Sequence, residues 1–251
     1  MTKYTINKAF QRKFPAIIWK IEVDNQQKYI AVETREPDST DVFISVIAFN
    51  GNPILLDYPL LEKDWTLDSI QSTYLIFKKI GENTPTKEGL LILDFVTKQE
   101  ILRSYEYSLL DVYTSVLKVK HRLFASGMDE YIQLESGQKI QQAAVPQLTR
   151  PTNNIAYPYA IEFQKPAVLD KIDYDGSLWM SKLDDLYLWC FHQKQHKGYN
   201  LKLCISDLNQ ILVSEVILED LEKQIPQPYF QVGNQIFLMS YNKQEIVSYL
   251  V

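Results

Sequence analysis

Residue types that build special sites are scarce in this chain of 251 residues. It has 2 cysteines, 3 histidines and 8 glycines. Two cysteines do not make the disulfide framework of small secreted domains, which favours a reducing, cytoplasmic compartment. Three histidines leave few candidates for a general base or a metal ligand. Neither a GxGxxG nor a Walker sequence occurs, which excludes the common phosphate-binding loops, and no cofactor is expected.

Long apolar segments are also missing. LYLWCF, residues 186–191, is among the longest uninterrupted apolar runs, whereas a membrane-spanning helix needs about 20 residues. The N-terminal sequence MTKYTINKAFQRKF has a basic start, but the apolar run of a secretory signal does not follow it. We therefore expect a cytoplasmic protein that does not cross a membrane.

An excess of positive charge is absent. Lys and Arg together number 26 against 31 Asp and Glu, which gives a net charge of -5. Binding to nucleic-acid phosphates needs clustered positive charge, and binding to an anionic membrane surface needs a polybasic segment. The sequence therefore predicts neither nucleic acid nor a membrane as a partner.

Aromatic residues are abundant, with 16 Tyr, 11 Phe and 4 Trp. These residue types favour pleated, half-buried surfaces, and the sequence predicts an all-β fold. Only two short stretches, residues 107–112 and 218–224, have spacing that suits a helix.

One hairpin pattern occurs five times. ILDFVTKQEILRSY, residues 92–105, reads as strand, tight turn and strand, and similar stretches share an amide residue, any residue, and then Ile. Asn-Gly and Ser-Gly in two of the turns supply the positive φ that short hairpins require. The amide residues are Asn52, Gln99, Gln138, Asn209 and Gln244, which lie 47, 39, 71 and 35 residues apart.

Three of these spacings are close to the ~40–50 residues of a four-stranded propeller blade. The repeated pattern resembles a β-propeller of five or six four-stranded blades, one of them degenerate. In the third unit, for example, the pattern predicts strands over residues 115–119, 122–125, 130–134 and 139–144. The alternative is a large β-barrel or β-sandwich, because meanders in those folds also repeat short strands.

The whole chain also resembles, in length and general pattern, a family of stand-alone bacterial proteins of unknown function, which implies no site. We expect a single domain over residues 1–251, with an irregular segment at 146–176 that holds four prolines. Two edge strands are predicted there, at 159–163 and 168–173. The N-terminal residues 4–10 are predicted to pair with the last blade and close the ring, since closure removes exposed sheet edges.

The strongest metal-like grouping is Cys190, His192, His196 and Cys204, whose residue types suit zinc. A hairpin centred near Lys197 would place Cys190 opposite Cys204. The spacing matches no common zinc module, and buried thiols beside solvated loop histidines explain the grouping better. No metal site is therefore predicted.

Neither a GxSxG elbow nor a histidine in a catalytic context is present, and no catalytic residue is predicted. We therefore expect a binding or scaffolding protein that presents loops to a protein or small ligand. The alternative is a hydrolase with its site in the central channel, because fold does not determine function. The candidate loops are residues 36–41, 81–88, 126–129 and 193–200. The candidate binding residues are His192, His196, Tyr199, Tyr157 and Tyr159.

Overall fold

The computed structural model describes residues 4–79, 88–123, 129–141, 148–152, 155–162 and 165–251. Over these ranges the chain forms antiparallel strands β1–β21 and one 3-10 helix, Ala167–Leu169, and the strands make five separate sheets. The prediction of an all-β fold is confirmed. The structure divides the chain into two compact units, one of Phe14–Asn153 and one of Met1–Lys13 with Asn154–Val251.

The unit Phe14–Asn153 contains three four-stranded sheets, each a simple meander in chain order. The first sheet consists of β2 (Ile17–Asp24), β3 (Tyr29–Arg35), β4 (Val42–Ala48) and β5 (Pro53–Leu60). The second consists of β6 (Trp65–Gln71), β7 (Tyr74–Lys79), β8 (Leu90–Asp94) and β9 (Gln99–Ser104). The third consists of β10 (Tyr107–Val112), β11 (Val116–His121), β12 (Glu130–Gln133) and β13 (Lys139–Ile140).

The other unit contains two sheets. The fourth sheet consists of β14 (Tyr159–Ile161), β15 (Asp175–Leu183), β16 (Leu186–Gln195), β17 (Gly198–Ser206) and β18 (Ile211–Leu221). The fifth sheet has the order β1-β21-β20-β19, built from Asn7–Lys13, Glu245–Leu250, Gln235–Met239 and Phe230–Val232. The pairing of β1 with β21, from Asn7 opposite Leu250 to Lys13 opposite Glu245, confirms that the N-terminal segment joins the last sheet.

The repeated hairpin occupies the same corner in four sheets, where it joins the last two strands of the meander. In the fifth sheet it joins β20 to β21, which are the two middle strands. Four of the five turns place a residue with positive φ just before the amide: Gly51, Lys98, Gly137 and Lys243. The fifth turn uses Asp207 instead, whose carboxylate accepts hydrogen bonds from the backbone N–H of Asn209 and Gln210.

The second sheet is buried on both faces. Leu75, Phe77 and Leu91 belong to a cluster with residues of the first sheet, whereas Ile76, Leu90 and Ile92 pack with residues of the third sheet. Successive residues of a strand point to opposite faces, and both faces of β7 and β8 are apolar. This explains why these strands read as continuous apolar runs rather than as alternating ones.

The other unit is held by a cluster between the fourth and fifth sheets. Leu188, Leu201 and Leu203 of the fourth sheet pack with Ile236 and Leu238 of the fifth. A second cluster covers the opposite face of the fourth sheet, where Leu169 of the 3-10 helix contacts Phe191 and its neighbours. Segment 166–170 thus shields an apolar face.

Several predicted elements are wrong. Residues 107–112 form strand β10, and residues 218–221 end strand β18, so neither stretch with helical spacing is a helix. A short apolar run fits either period, and pairing with β11 and β17 decides in favour of strands. Arg122 and Leu123 lie in a turn rather than in a strand, and the rest of that predicted strand lies outside the described residues.

In segment 146–176, β14 pairs with β15 as an edge strand, as predicted for Tyr159 onward. The second strand predicted there, at 168–173, is replaced by the 3-10 helix Ala167–Leu169. Pro166 precedes this helix with φ −61°, and proline is tolerated at a helix start because its missing N–H is not needed there. Within the described ranges, no helix has the length and apolar character needed to cross a membrane.

Candidate ligand groove between the second and third sheets

The first strands of the first three sheets share the same bulge. The pairing register shifts between Ile18 and Lys20 in β2, between Leu67 and Ser69 in β6, and between Leu109 and Asp111 in β10. The added residues are Trp19, Asp68 and Leu110. A β-bulge redirects side chains and often lies next to a functional site. The bulge also fixes which residues of the three sheets are structurally equivalent.

At the interface between the first and second sheets, Lys20 fills the space beside the bulge. Its Nζ donates hydrogen bonds to the carbonyl oxygens of Leu67, at 2.8 Å, and Asp68, at 3.4 Å. It also pairs with Glu22 at 3.1 Å. Because β6 is an edge strand, carbonyl groups on its outer side need partners from elsewhere, and the Lys20 ammonium supplies one.

Two more side chains of the first sheet bind the same edge of β6. Glu33 is 0% exposed, and its carboxylate accepts hydrogen bonds from the backbone N–H of Leu67 at 2.7 Å and the Thr66 hydroxyl at 2.9 Å. Arg35 pairs with Glu33 at 2.7 Å and donates to the carbonyl of Trp65 at 2.9 Å. The interface between these two sheets is therefore closed by charged side chains.

At the interface between the second and third sheets, the equivalent residues are different. Register places Ser69 where the first sheet has Lys20, and Gln71 where it has Glu22. The Ser69 hydroxyl oxygen and the Gln71 side-chain carbonyl oxygen are buried and have no hydrogen-bond partner among the residues that the structure describes. Gln71 as a whole is only 5% exposed. A buried polar atom without a partner is costly, and these two are acceptors for a donor from outside the sheet.

An open groove of about 360 Å³ lies at this interface. Asp68, Ser69 and Lys78 form its wall on the second sheet. The remaining lining residues are Leu109, Leu110, Asp111, Val112, Arg150 and Pro151. Asp68 pairs with Lys78 at 2.8 Å, and Asp111 pairs with Arg150 at 2.6 Å. The groove thus combines two ion pairs, an unpartnered hydroxyl and an apolar strip.

Glu22 belongs to β2 of the first sheet and lies close enough to Asp68 of the second sheet for their charges to interact. Its burial raises the pKa of its carboxyl above the ordinary value, and the adjacent Lys20 opposes this. The negative charge of Asp68 raises the pKa of Glu22 further. Glu22 therefore holds a proton more readily than an exposed glutamate does.

A second pocket, of about 380 Å³, lies in the other unit and is lined by Asp173, Tyr174, Asp175, Gln193, Lys194 and Gln195. The predicted site residue His192 lies beside it in β16, opposite Asp175, and is 1% exposed. Its Nε2 accepts a hydrogen bond from the backbone N–H of Ile225 at 3.0 Å. Burial lowers the pKa of His192, and Asp175 opposes that shift.

The other predicted binding residues are spread over the same unit. Tyr199 lies edge-on to His192, with ring centroids 6.2 Å apart, so the structure brings these two together. His196 lies in the two-residue turn between β16 and β17. Tyr157 and Tyr159 are 54% and 72% exposed, and Tyr159 pairs with Met180 at the sheet edge. None of these five residues lines the groove described above.

The predicted arrangement of the cysteines is wrong by one residue. Cys190 lies opposite Leu203, and Cys204 lies opposite Trp189. A one-residue shift turns side chains to the other face of a sheet, so Cys190 and Cys204 belong to separate apolar clusters on opposite faces. Burial raises the pKa of both thiols. The described part of the chain contains no group of three His, Cys, Asp or Glu residues that could hold a metal ion.

Of the predicted loops, residues 36–41 connect β3 to β4 as expected. The segment 193–200 is mostly strand, with only His196 and Lys197 in the turn, so this prediction is wrong. Residues 81–87 and 126–128 of the other two loops lie outside the described residues. Sequence reasoning did not identify Asp68, Ser69, Gln71 or Asp111. Aligning the repeats on their first strands would have revealed the change from Lys20 to Ser69.

Comparison with known proteins gives limited similarity. No protein-family model matches the chain, and no curated protein matches it. Among solved structures, the β-propeller domain of the Trilobed protease from Pyrococcus furiosus is similar at 13% identity and a TM-score of 0.35, over 89% of this chain and 63% of that one. Prolyl oligopeptidase B from Galerina marginata is similar at 11% identity and a TM-score of 0.35, over 91% of this chain and 31% of that one. The chain spans less than two thirds of either protein.

Proposed function

We propose that this chain is a binding protein without catalytic activity, whose five sheets are the blades of a β-propeller closed by β1. Two features support this architecture: the second sheet packs on both faces against its neighbours, and the N-terminal strand completes the last sheet. Both are what a ring of blades requires, because one blade cannot bury its apolar faces alone. A reducing cytoplasm suits the two buried thiols.

The groove at the second sheet interface is the observation that carries the proposed function. The Ser69 hydroxyl in its wall has no hydrogen-bond partner among the described residues, and its two ion pairs and apolar strip offer contacts of several kinds to a ligand. A nucleophile needs a base within hydrogen-bond reach, and the Ser69 hydroxyl has no such partner. The groove therefore supports recognition of a protein segment rather than covalent catalysis.

Selection of peptides from a displayed random library against the folded chain tests this proposal. We expect selected peptides to lose binding at least tenfold in Ser69→Trp, because the indole fills the groove. The control is Val96→Trp, which changes an exposed side chain, 58% accessible, in a turn of the same sheet. Peptides that bind both variants equally well would contradict a ligand site in the groove.

A hydrolase remains the second candidate, because Glu22 and Asp68 place two carboxyl groups in different environments. Both carboxyl groups are in ion pairs, Glu22 with Lys20 and Asp68 with Lys78, but burial raises the pKa of Glu22 above its ordinary value. An acid and a base kept apart in this way are typical of glycoside hydrolysis. Turnover of a panel of nitrophenyl glycosides that disappears in Glu22→Gln would favour this candidate over the binding protein.

A further inference from the structure

The third sheet repeats the backbone feature that Lys20 binds in the second sheet. Its first strand carries the same bulge, and the equivalents of the Leu67 and Asp68 carbonyls are those of Leu109 and Leu110. At the first interface an ammonium group, that of Lys20, binds these carbonyls. At the second interface the equivalent residue is Ser69, which is too short to reach across. The groove opens where the lysine is missing.

The acceptors that would bind an ammonium group are present at the second interface. The Gln71 side-chain oxygen, in a residue 5% exposed, and the Ser69 hydroxyl have no protein partner. Asp68 and Asp111 line the groove with carboxylates. An amide oxygen can only accept hydrogen bonds, so its missing partner is a donor, as Lys20 is for Glu22.

We propose that the groove binds the side chain of a lysine from a partner protein, with its ammonium placed as that of Lys20 is in the first interface. This proposal rests on the proposed function of the groove as a binding site. Leu109, Leu110 and Val112 provide an apolar strip for the methylene stem, in the way that lysine stems cover apolar surface elsewhere. The ammonium reaches the Leu109 and Leu110 carbonyls and the two carboxylates.

Two cations already line the groove, and an incoming ammonium competes with them for the carboxylates of Asp68 and Asp111. Lys78 and Arg150 pair with Asp68 and Asp111, so the four charges balance. The Arg150 side chain is 71% exposed, and exposed ion pairs contribute little stability. An incoming ammonium therefore displaces Arg150 from Asp111 more readily than it displaces Lys78 from Asp68.

The probe is Nα-acetyl-lysine N-methylamide, whose side-chain ammonium is free. It is titrated into the ¹⁵N-labelled chain while the amide chemical shifts of Ser69, Leu110 and Asp111 are followed. We expect saturable shifts that weaken as salt rises. N-acetyl-norleucine N-methylamide, which keeps the stem but lacks the charge, should give none. Equal shifts from the norleucine compound, or none from the lysine compound, would overturn the proposal.

Variants separate the charge from the shape of the groove. Asp111→Asn should weaken binding of the lysine compound about tenfold, the usual cost of losing a charged hydrogen-bond partner. Arg150→Gln should strengthen it, because the competitor is removed. Unchanged affinity in both variants would overturn the ammonium site even if the chain binds peptides.

Ser69→Lys should restore the closed interface seen between the first two sheets. We expect this variant to melt at a higher temperature than the wild-type chain and to lose binding of the lysine compound. Ser69→Met is the matched control, since it fills the groove with similar bulk but brings no ammonium, and it should not match the gain in melting temperature. A Lys variant no more stable than the Met variant would contradict the placement of the ammonium.

Selected peptides distinguish this inference from the proposed function. If groove-binding peptides keep their affinity when lysine is replaced by norleucine, the ammonium site is wrong and the binding groove stands. If n-butylammonium saturates the groove as tightly as the best lysine peptide, the source is a free amine, which overturns a protein partner. If no peptide and no amine binds, both proposals fail.

Discussion

At the residue scale, individual polar side chains decide whether two sheets meet tightly. Glu33, Arg35 and Lys20 bind the edge of β6. In the second sheet, Ser69 and Gln71, at the positions of Lys20 and Glu22, leave polar atoms without partners among the described residues. The sequence shows these residues as ordinary strand positions. Their roles follow from the neighbouring sheet, which each of them contacts across the interface.

Replacing Glu33 tests the closed interface. Glu33→Ala removes the acceptor for the Leu67 N–H and the Thr66 hydroxyl and leaves Arg35 without its carboxylate. We expect the free energy of unfolding to fall by about 3 kcal/mol, as when one partner of a buried ion pair is lost. Urea denaturation measures this. The exposed Glu135→Ala is the control and should change stability by less than about 0.5 kcal/mol.

The pH dependence of stability tests His192. Its folded-state pKa is lowered by burial, so the unfolded chain binds a proton more readily than the folded chain does. Stability is therefore fully present above the ordinary histidine pKa of about 6.5 and falls as the pH drops through the lower folded-state value. His192→Gln, which retains a hydrogen-bond acceptor, should flatten this slope in melting temperature against pH. His196→Gln, in the exposed turn, should leave the slope unchanged.

At the element scale, register and bulges position what the strands carry. The turn of two residues between β16 and β17 sends Cys190 and Cys204 to opposite faces, although the alternation pattern of each strand is easy to read. The shared bulges in β2, β6 and β10 make positions 20, 69 and 111 equivalent. The 107–112 stretch illustrates the limit of local pattern, because only pairing with β11 makes it a strand.

Removal of β1 tests the closing of the fifth sheet. Deleting residues 1–13 exposes the edge of β21 and removes Phe10, whose ring lies 6.3 Å from that of Phe237. Phe10 is partly buried, and loss of its ring together with the strand pairing should cost about 2 kcal/mol or more, which corresponds to roughly 6 °C in a chain of this size. Calorimetry measures the midpoint. A midpoint equal to that of the full chain would show that β1 adds nothing to stability.

At the scale of the whole molecule, stability is expected to differ among the sheets. In the unit Phe14–Asn153, the second sheet has apolar neighbours on both faces, and strands β7 and β8 lie in its middle. The third sheet ends in β13, a strand of only two residues, Lys139–Ile140. The parts of a fold with more buried apolar contacts open less often.

Hydrogen exchange measures this difference. Amides of β7 and β8 should exchange more slowly than any others in the unit Phe14–Asn153, because they open only with global unfolding. Amides of β12 and β13 should exchange faster, through local opening. Exchange from β7 and β8 at the rate of β13 would contradict the central place of the second sheet.

Much of the fold was predictable from the sequence because it is local. The turn residues at Gly51 and Gly137 have the positive φ that their sequences predict, and alternating or continuous apolar runs located most strands within a few residues. The groove was not predictable in this way. Ser69 and Gln71 become significant only when β6 is compared with β2 and packed against its neighbours.

The sequence by itself determined the all-β class, the repeated hairpins and the pairing of the N-terminal strand with the last sheet. The first two depend on turn chemistry and strand periodicity, which act between residues close in the chain, and the third was expected because closure removes an exposed sheet edge. Tertiary structure alone decided the cysteine register, the closed first interface and the open second one. These depend on which side chain meets the backbone of another sheet some 48 residues away, as Lys20 meets Asp68, and no local pattern carries that information.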